Sequence, residues 1–240
     1  MLRRRPLGEA DSVVTLLSPS LGRFDAVARG ARASKTSRGG MVEPLNHLKL
    51  LLAEGRSLDV VSQVQTVKAW RGVGADLHRV AVATYLLELY GALVEPGPHA
   101  SSARVFGSLV RALDELEEAV LPVTLGCARA ELRLLTVMGI APGLDACVVC
   151  GAVADVSRFS ARDGGIACRA CAPNGALPVS VETLALVRAL RDPEVARLNE
   201  RAALFPAGSE HAAQAVVRAH LDWHLPQPPR SRAFLQQVAE

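Results

Sequence analysis

Apolar and polar residues alternate with a period of two in the first third of the chain. Short runs of this kind, rich in residues that favour β-structure, are separated by turn residues such as Ser18-Pro19 and Glu54-Gly55. The predicted strands cover residues 12–17, 23–28, 46–52 and 58–67. Several short strands at this spacing predict a small antiparallel β-barrel or sandwich.

After Gly72 the apolar period changes from two to that of a helix. The predicted helices cover residues 77–93, 101–121, 122–140, 181–190, 194–204, 210–225 and 231–238. Ser180 stands where it would N-cap the fourth of them. The fold class is therefore α+β, with a small β domain over residues 1–72 and a mainly α-helical domain over residues 73–240.

Two Cys-x-x-Cys pairs lie within residues 147–171 of the helical domain, and a Gly164-Gly165 turn lies between them. The pairs are Cys147/Cys150 and Cys168/Cys171. Each pair presents two thiolates on one side of a turn, and two such turns can close a tetrahedron around one Zn²⁺. The spacing predicts one structural zinc ion in a hairpin, with all four ligand positions taken by the protein.

Other interpretations of the four cysteines stay open at this point. Two disulfides would need an oxidising compartment, and a redox Cys-x-x-Cys would be expected beside a βαβ pattern, which is absent from the sequence. A vestigial metal site and chance placement are further alternatives. The fifth cysteine, Cys127, lies in an apolar helical pattern and is interpreted as a core residue.

Charge is distributed unevenly along the chain. Residues 1–72 contain 12 basic and 6 acidic residues, whereas the whole chain has a net charge of only +3. Residues 29–40 contain glycine, serine and four cations but no acid. Flexible glycines and arginine forks allow such a loop to follow a phosphate backbone; a solvated basic loop without a ligand is the alternative.

No motif indicates an active site. His220 and His224 are four residues apart on a predicted helix, but HLDWH lacks the glutamate of H-E-x-x-H and no third ligand is evident. Phosphate-binding loops, nucleophile elbows and nuclease-type carboxylate clusters are not found. The basic start of the chain has no apolar segment typical of a secretory signal, and no run is long enough for a membrane span, so the cytoplasm is the expected compartment.

Three segments together resemble one family. Residues 6–32 read PLGEADSVVTLLSPSLGRFDAVARGAR, residues 85–90 read YLLELY, and residues 131–151 read ELRLLTVMGIAPGLDACVVCG, followed by GGIACRAC at 164–171. The chain is similar to the RecO family of bacterial recombination mediators, from Pro6 to about residue 190. The most specific parts are the Gly-Arg-x-x-x-Val-Ala-Arg-Gly-Ala-Arg segment and the run that leads into the first Cys-x-x-Cys pair.

The resemblance implies an OB-fold N-terminal domain, a helical C-terminal domain and zinc on the four cysteines. It implies a non-enzymatic DNA repair protein of the nucleoid that binds single- and double-stranded DNA and anneals complementary strands. Implied partners are RecR, RecF, RecA and the acidic C-terminal tail of the single-strand-binding protein SSB. Carried onto this sequence, the DNA-binding residues are Arg23, Arg29, Arg32, Lys35, Arg38 and Lys49, and the zinc ligands are Cys147, Cys150, Cys168 and Cys171.

Two features depart from the family pattern. The five residues before Pro6 are fewer than the expected first strand would need. Aromatic residues for stacking bases are scarce, because Phe24 and Trp70 are the only ones before Tyr85. DNA binding is therefore expected to depend on backbone charge, with strong salt dependence and little sequence preference. Rival functions are a zinc-ribbon scaffold or transcription-type protein and, third, a nuclease.

Overall fold

The computed structural model describes residues 1–31 and 42–239. The chain divides into two compact units, one formed by Met1–Glu117 with Pro229–Glu240 and the other by Glu118–Pro228. The predicted boundary at residue 72 marks the change from strands to helices, and as a division into domains it stays a prediction. Within the described ranges, no helix is long and apolar enough to cross a lipid bilayer.

A five-stranded sheet forms the start of the first unit. Its strands are β1 (Arg3–Leu7), β2 (Asp11–Ser18), β3 (Gly22–Ala28), β4 (Asn46–Ala53) and β5 (Asp59–Ala69), in the spatial order β1-β2-β3-β5-β4. The alternation predicted for the strands is observed: Ala26 and Ala28 are buried on one face with Val14, Leu16 and Val61, and Phe24 packs against this core. Burying this face is what fixes the register of each strand.

The sheet differs in two ways from the predicted antiparallel barrel. β3 and β5 pair in parallel through Ala26 and Val27, so the sheet is mixed. Among the described residues β1 and β4 form no ladder, so the barrel is not closed, although the Met1 amino group donates a hydrogen bond to the Asn46 carbonyl oxygen (2.7 Å). Five strands in a partly open arrangement are compatible with an OB-fold.

β1 is a strand that the pattern of apolar residues did not predict. Its sequence, RRRPL, has no apolar alternation, and it is ordered by its antiparallel ladder with β2 from Arg3↔Thr15 to Leu7↔Asp11. Pro6 is tolerated because β1 is an edge strand. A first strand is thus present from Arg3, and it continues past Pro6 to Leu7.

Helices complete the first unit. A 3₁₀ turn (Arg71–Ala75) precedes α1 (Leu77–Leu93) and α2 (Ser102–Glu118), and the terminal helix α7 (Ser231–Ala239) packs on α1. The side chain of Asp76 N-caps α1 by accepting from the Arg79 N–H (2.8 Å). The bounds of α1 are those predicted from its apolar period.

The second unit combines helices with a small sheet. Its elements are α3 (Val123–Val137), β6 (Val156–Ser160), β7 (Gly165–Cys168), β8 (Leu177–Pro178), α4 (Val181–Ala189), α5 (Val195–Ala202) and α6 (Ser209–His224). α6 packs on α3 and α4, and the three strands are ordered β7-β6-β8. Ser180 N-caps α4 as predicted, accepting from the Thr183 N–H (3.1 Å). The α+β fold class is confirmed.

Candidate metal centre and nucleic-acid interface

The four cysteines of the two Cys-x-x-Cys pairs converge on one point. The Sγ atoms of Cys147, Cys150, Cys168 and Cys171 all lie within 4.8 Å of one another. The Sγ atoms of Cys150 and Cys168 are 3.8 Å apart, and a tetrahedral site with Zn–S bonds of about 2.3 Å separates its sulfurs by about 3.8 Å. The four thiols are thus close enough together to hold one metal ion, and the Cys150–Cys168 separation matches that of a tetrahedral zinc site.

Backbone hydrogen bonds shape the two turns that carry the thiols. In the first, the Cys147 N–H donates to the Ala152 carbonyl (2.7 Å) and the Gly151 N–H to the Cys147 carbonyl (2.8 Å). Gly151 has φ of 77°, a conformation that costs glycine little. In the second turn, the N–H groups of Cys171 and Ala172 both donate to the Cys168 carbonyl (3.1 and 3.0 Å). Each pair of thiols is therefore held on one side of its turn.

A close contact between two glycines joins the hairpin to the segment after α3. The Gly143 N–H donates to the Gly164 carbonyl (2.9 Å), and the Ile166 N–H donates to the Gly143 carbonyl (2.9 Å). A Cβ atom on Gly165 would lie 2.2 Å from the Gly143 carbonyl oxygen, so only glycine fits there. The Val148 N–H also donates to the Ile166 carbonyl (2.9 Å), which fixes the first turn against β7.

The electrostatic environment differs among the thiols. Backbone N–H groups of Cys168 and Cys150 lower the pKa of Cys147 to about 6. By contrast, hydrogen bonding with the Cys168 and Cys150 side chains raises the pKa of Cys171 to about 12. Four thiolates this close repel one another, so a shared cation is what would keep all four deprotonated.

Other metal sites and disulfides do not appear among the described residues. All five cysteines are free thiols, and Cys127 is fully buried as predicted for a core residue. The four hairpin cysteines are the one described group of three or more potential ligands close enough to hold an ion. His220 Nε2 lies 2.8 Å from the Ile140 carbonyl oxygen, and its ring packs edge-on to Phe159, which accounts for that histidine as a core residue.

The six predicted DNA-binding residues have different surroundings. Arg29 and Lys49 are exposed. Arg23 is half-buried, and its Nε donates to the Val94 carbonyl oxygen (2.5 Å) at the C-terminus of α1. Arg32, Lys35 and Arg38 lie outside the described residues. The role of all six in DNA binding stays a prediction.

The basic start of the chain is partly structural. Arg4 forms an ion pair with Glu43, and its Nη2 donates to the Ala31 carbonyl (2.8 Å). Arg5 Nη2 lies 2.9 Å from an oxygen of Asp25 on β3. These two arginines hold β1 to its surroundings, so part of the positive charge of the first 72 residues is neutralised by the fold.

Aromatic residues that are far apart in the sequence meet around one cavity of the first unit. Phe24, His47, Trp70 and Phe106 line this cavity, which has a volume of about 470 Å³. The His47 and Trp70 rings are nearly parallel, 10° apart in angle, and Phe106 meets His47 edge-on with ring centroids 5.3 Å apart. No spacing in the sequence predicts this cluster, because it depends on the packing of α2 against the sheet.

Comparison with known proteins assigns the chain to a family. A family model described as "Recombination protein O N terminal" matches residues 1–70, and one described as "Recombination protein O C terminal" matches residues 74–233. Three relatives, each named "DNA repair protein RecO", are similar over nearly the whole chain. The relative from Roseiflexus is 36% identical (100% of this chain, 84% of the relative), the one from Anaeromyxobacter strain K 37% (99% and 94%), and the one from Nocardioides 34% (99% and 97%). This chain belongs to the RecO family of DNA repair proteins.

Proposed function

We propose that this protein is a recombination mediator that binds single- and double-stranded DNA and anneals complementary strands. In this proposal it acts with RecR and RecF to load RecA onto single strands coated by SSB, in the cytoplasm and associated with the nucleoid. The observation that carries the proposal is the match of both family halves, in order, across residues 1–70 and 74–233.

Annealing of complementary strands neither forms nor breaks a covalent bond. Two strands bound on one basic surface repel each other less, because lysine and arginine side chains replace the condensed counterions of the phosphates. Exposed cations such as Arg29 and Lys49 supply this surface, and binding depends on charge more than on base sequence. The protein is accordingly proposed not to be an enzyme. Contact with the acidic C-terminal tail of SSB would raise the local concentration of the protein at coated DNA.

The metal is proposed to be one structural zinc ion held by Cys147, Cys150, Cys168 and Cys171. Four thiolates in a closed tetrahedral set suit Zn²⁺ and leave no open ligand position for a substrate. The ion would hold the two cysteine turns together and so order the hairpin from β6 to β7.

The test of DNA binding is fluorescence anisotropy with labelled single and double strands across a salt series. The variant replaces Arg29, Arg32, Lys35 and Arg38 with glutamate. A control variant replaces two exposed arginines on the hairpin of the second unit, Arg162 and Arg169, with glutamate. We expect a steep salt slope in the wild type that flattens in the loop variant but not in the control. Affinity for a single duplex sequence would instead favour a zinc-ribbon transcription-type protein.

The test of the mediator role is the annealing of complementary strands coated with SSB, compared with SSB that lacks its C-terminal tail. Faster annealing only with intact SSB is expected. Equal rates would contradict tethering through the tail. Strand cleavage on addition of Mg²⁺ or Mn²⁺ would contradict the proposal that the protein is not an enzyme.

A further inference from the structure

One cavity of the first unit lies next to the sheet. It lies between β2, the turn at Ser18–Leu21, β4 and the apolar face of α2, and all of its lining residues belong to residues 1–113. Its volume of about 470 Å³ is in the range of pockets that hold small molecules. Leu16, Leu50 and Leu109 contribute to an apolar floor.

Aromatic rings form part of the cavity wall. Trp70 is 5% exposed, and its Nε1 donates to Asp114 Oδ1 (2.6 Å), which fixes the plane of the indole. His47 lies nearly parallel to it with ring centroids 6.4 Å apart, and Phe106 packs edge-on to His47. Flat, fixed aromatic rings are the side chains on which nucleobases stack, and each stacked base contributes about 1–3 kcal/mol.

One exposed cation lines the cavity. The lining residues include Lys49 but no aspartate or glutamate. Lys49 is exposed and forms no ion pair within the described part of the chain, whereas Lys68 is neutralised by Asp114 (2.7 Å) and Glu117 (3.4 Å). Burial lowers the pKa of His47, so that its ring is neutral at pH 7 and suited to stacking. A ligand with a planar ring and a negative charge would stack on the aromatic wall and pair with Lys49.

We propose that this cavity binds one unstacked base of single-stranded DNA, with an adjacent phosphate held by Lys49. The inference rests on the DNA binding proposed above and adds a site for the base. A base in a duplex is paired and stacked and does not reach such a cavity, so the site would favour single strands over duplexes. It also revises the expectation that stacking contributes little, which followed from the scarcity of aromatic residues in the sequence.

The experiment uses the full chain carrying Trp223→Phe, which leaves Trp70 as the only tryptophan. Trp70 fluorescence is measured during titration with a thymidine oligonucleotide and with an abasic oligonucleotide of equal length, at fixed salt. Because the two strands carry the same backbone charge, their difference reports the bases alone. We expect the thymidine strand to bind about tenfold more tightly and to quench Trp70.

Two kinds of variant separate the wall of the cavity from its rim. Val110→Phe, which adds a ring to the cavity from α2, is expected to abolish the preference for the thymidine strand. Phe106→Ala should reduce that preference. Lys49→Ala should lower the affinity for the thymidine strand and for the abasic strand by the same factor. Circular dichroism melting curves serve as the folding control for each variant.

Three outcomes would contradict the proposed base-binding site. Equal affinity for the thymidine and abasic strands, with a normal salt slope, would leave the proposed DNA binding intact and exclude the base site. No binding of either strand would contradict DNA binding and the base site together. A response of Trp70 to a short leucine-rich peptide but not to the thymidine strand would assign the cavity to a protein partner.

Discussion

The carboxylate of Glu88 on α1 caps the N-terminus of α7 by accepting three hydrogen bonds, two of them from Ser231. The Ser231 N–H and Oγ donate to Glu88 Oε2 (2.8 and 2.5 Å), and the Arg230 N–H donates to Oε1 (2.9 Å). A helix leaves its first N–H groups without partners within the helix. A carboxylate there is favourable both because it accepts hydrogen bonds from these groups and because its negative charge lies at the positive end of the helix dipole. This contact joins residues that are 143 positions apart, which explains why the terminal helix belongs to the first unit.

Glu88→Gln is therefore expected to destabilise the first unit by about 1 kcal/mol at pH 7. Burial alone would raise the pKa of Glu88, but the hydrogen bonds from Ser231 and Arg230 outweigh it and lower the pKa. Because the folded state has the lower pKa, the stabilisation is complete above the ordinary glutamate pKa of about 4.3 and is lost as pH falls below it. Urea unfolding at pH 7 and pH 3.5 should show the difference between wild type and variant shrinking at the lower pH.

If the four cysteines hold the proposed zinc ion, its removal should unfold the cysteine hairpin. Binding energy at a structural zinc site is folding energy, so a chelator is expected to lower the melting temperature by on the order of 10 °C. Cys150→Ser should bind less than one equivalent of metal, as measured by elemental analysis. Cys127→Ala is the matched control, because Cys127 is a buried core residue away from the four clustered thiols; loss of metal in this control would contradict the assigned ligands.

Gly165→Ala should be strongly destabilising. The added Cβ would lie 2.2 Å from the Gly143 carbonyl oxygen and 2.7 Å from Val148 Cγ1, and the backbone atom cannot move without breaking the Ile166–Gly143 hydrogen bond. A loss of about 2–4 kcal/mol in the free energy of unfolding is expected from such overpacking.

Gly126→Ala is the control for that substitution. Gly126 lies in α3, and no atom would come within 4 Å of the new Cβ beyond its own helix. Since alanine is a better helix former than glycine, this variant should gain up to about 1 kcal/mol. Equal effects of the two substitutions would contradict the close packing of the hairpin against the segment after α3.

Features with a local signal were predictable from the sequence, and features that depend on distant packing were not. The period of the apolar residues gave the bounds of α1, the side chain of Ser180 marked the start of α4, and the spacing of the four cysteines predicted their convergence. The parallel pairing of β3 with β5, the meeting of Trp70 with Phe106 around one cavity, and the cap formed by Glu88 each join residues far apart in the chain. The strand β1 was missed because its arginines carry no apolar alternation, and its order comes from pairing with β2.

The resemblance assigns both Arg23 and Lys49 to DNA binding. Their surroundings in the structure predict that substituting them has different effects on stability and on DNA binding. Arg23 Nε donates to the Val94 carbonyl oxygen, and the Gly97 N–H donates to the Arg23 carbonyl (2.8 Å), so this arginine secures the C-terminus of α1 to β3. A positive charge at that end also interacts favourably with the helix dipole. Arg23→Ala should therefore lower the free energy of unfolding by about 1–2 kcal/mol.

Lys49→Ala should leave stability nearly unchanged and weaken DNA binding. Lys49 is exposed and forms no ion pair among the described residues, so its removal is expected to change stability by less than about 0.5 kcal/mol. If it contacts one phosphate, the slope of log affinity against log salt for single strands should fall by about 0.7. Denaturant unfolding and anisotropy salt series on both variants make the comparison. A reduced salt slope in Arg23→Ala with unchanged stability would mean that Arg23 contacts DNA in place of its structural role at α1, and an unchanged slope in Lys49→Ala would remove β4 from the DNA surface.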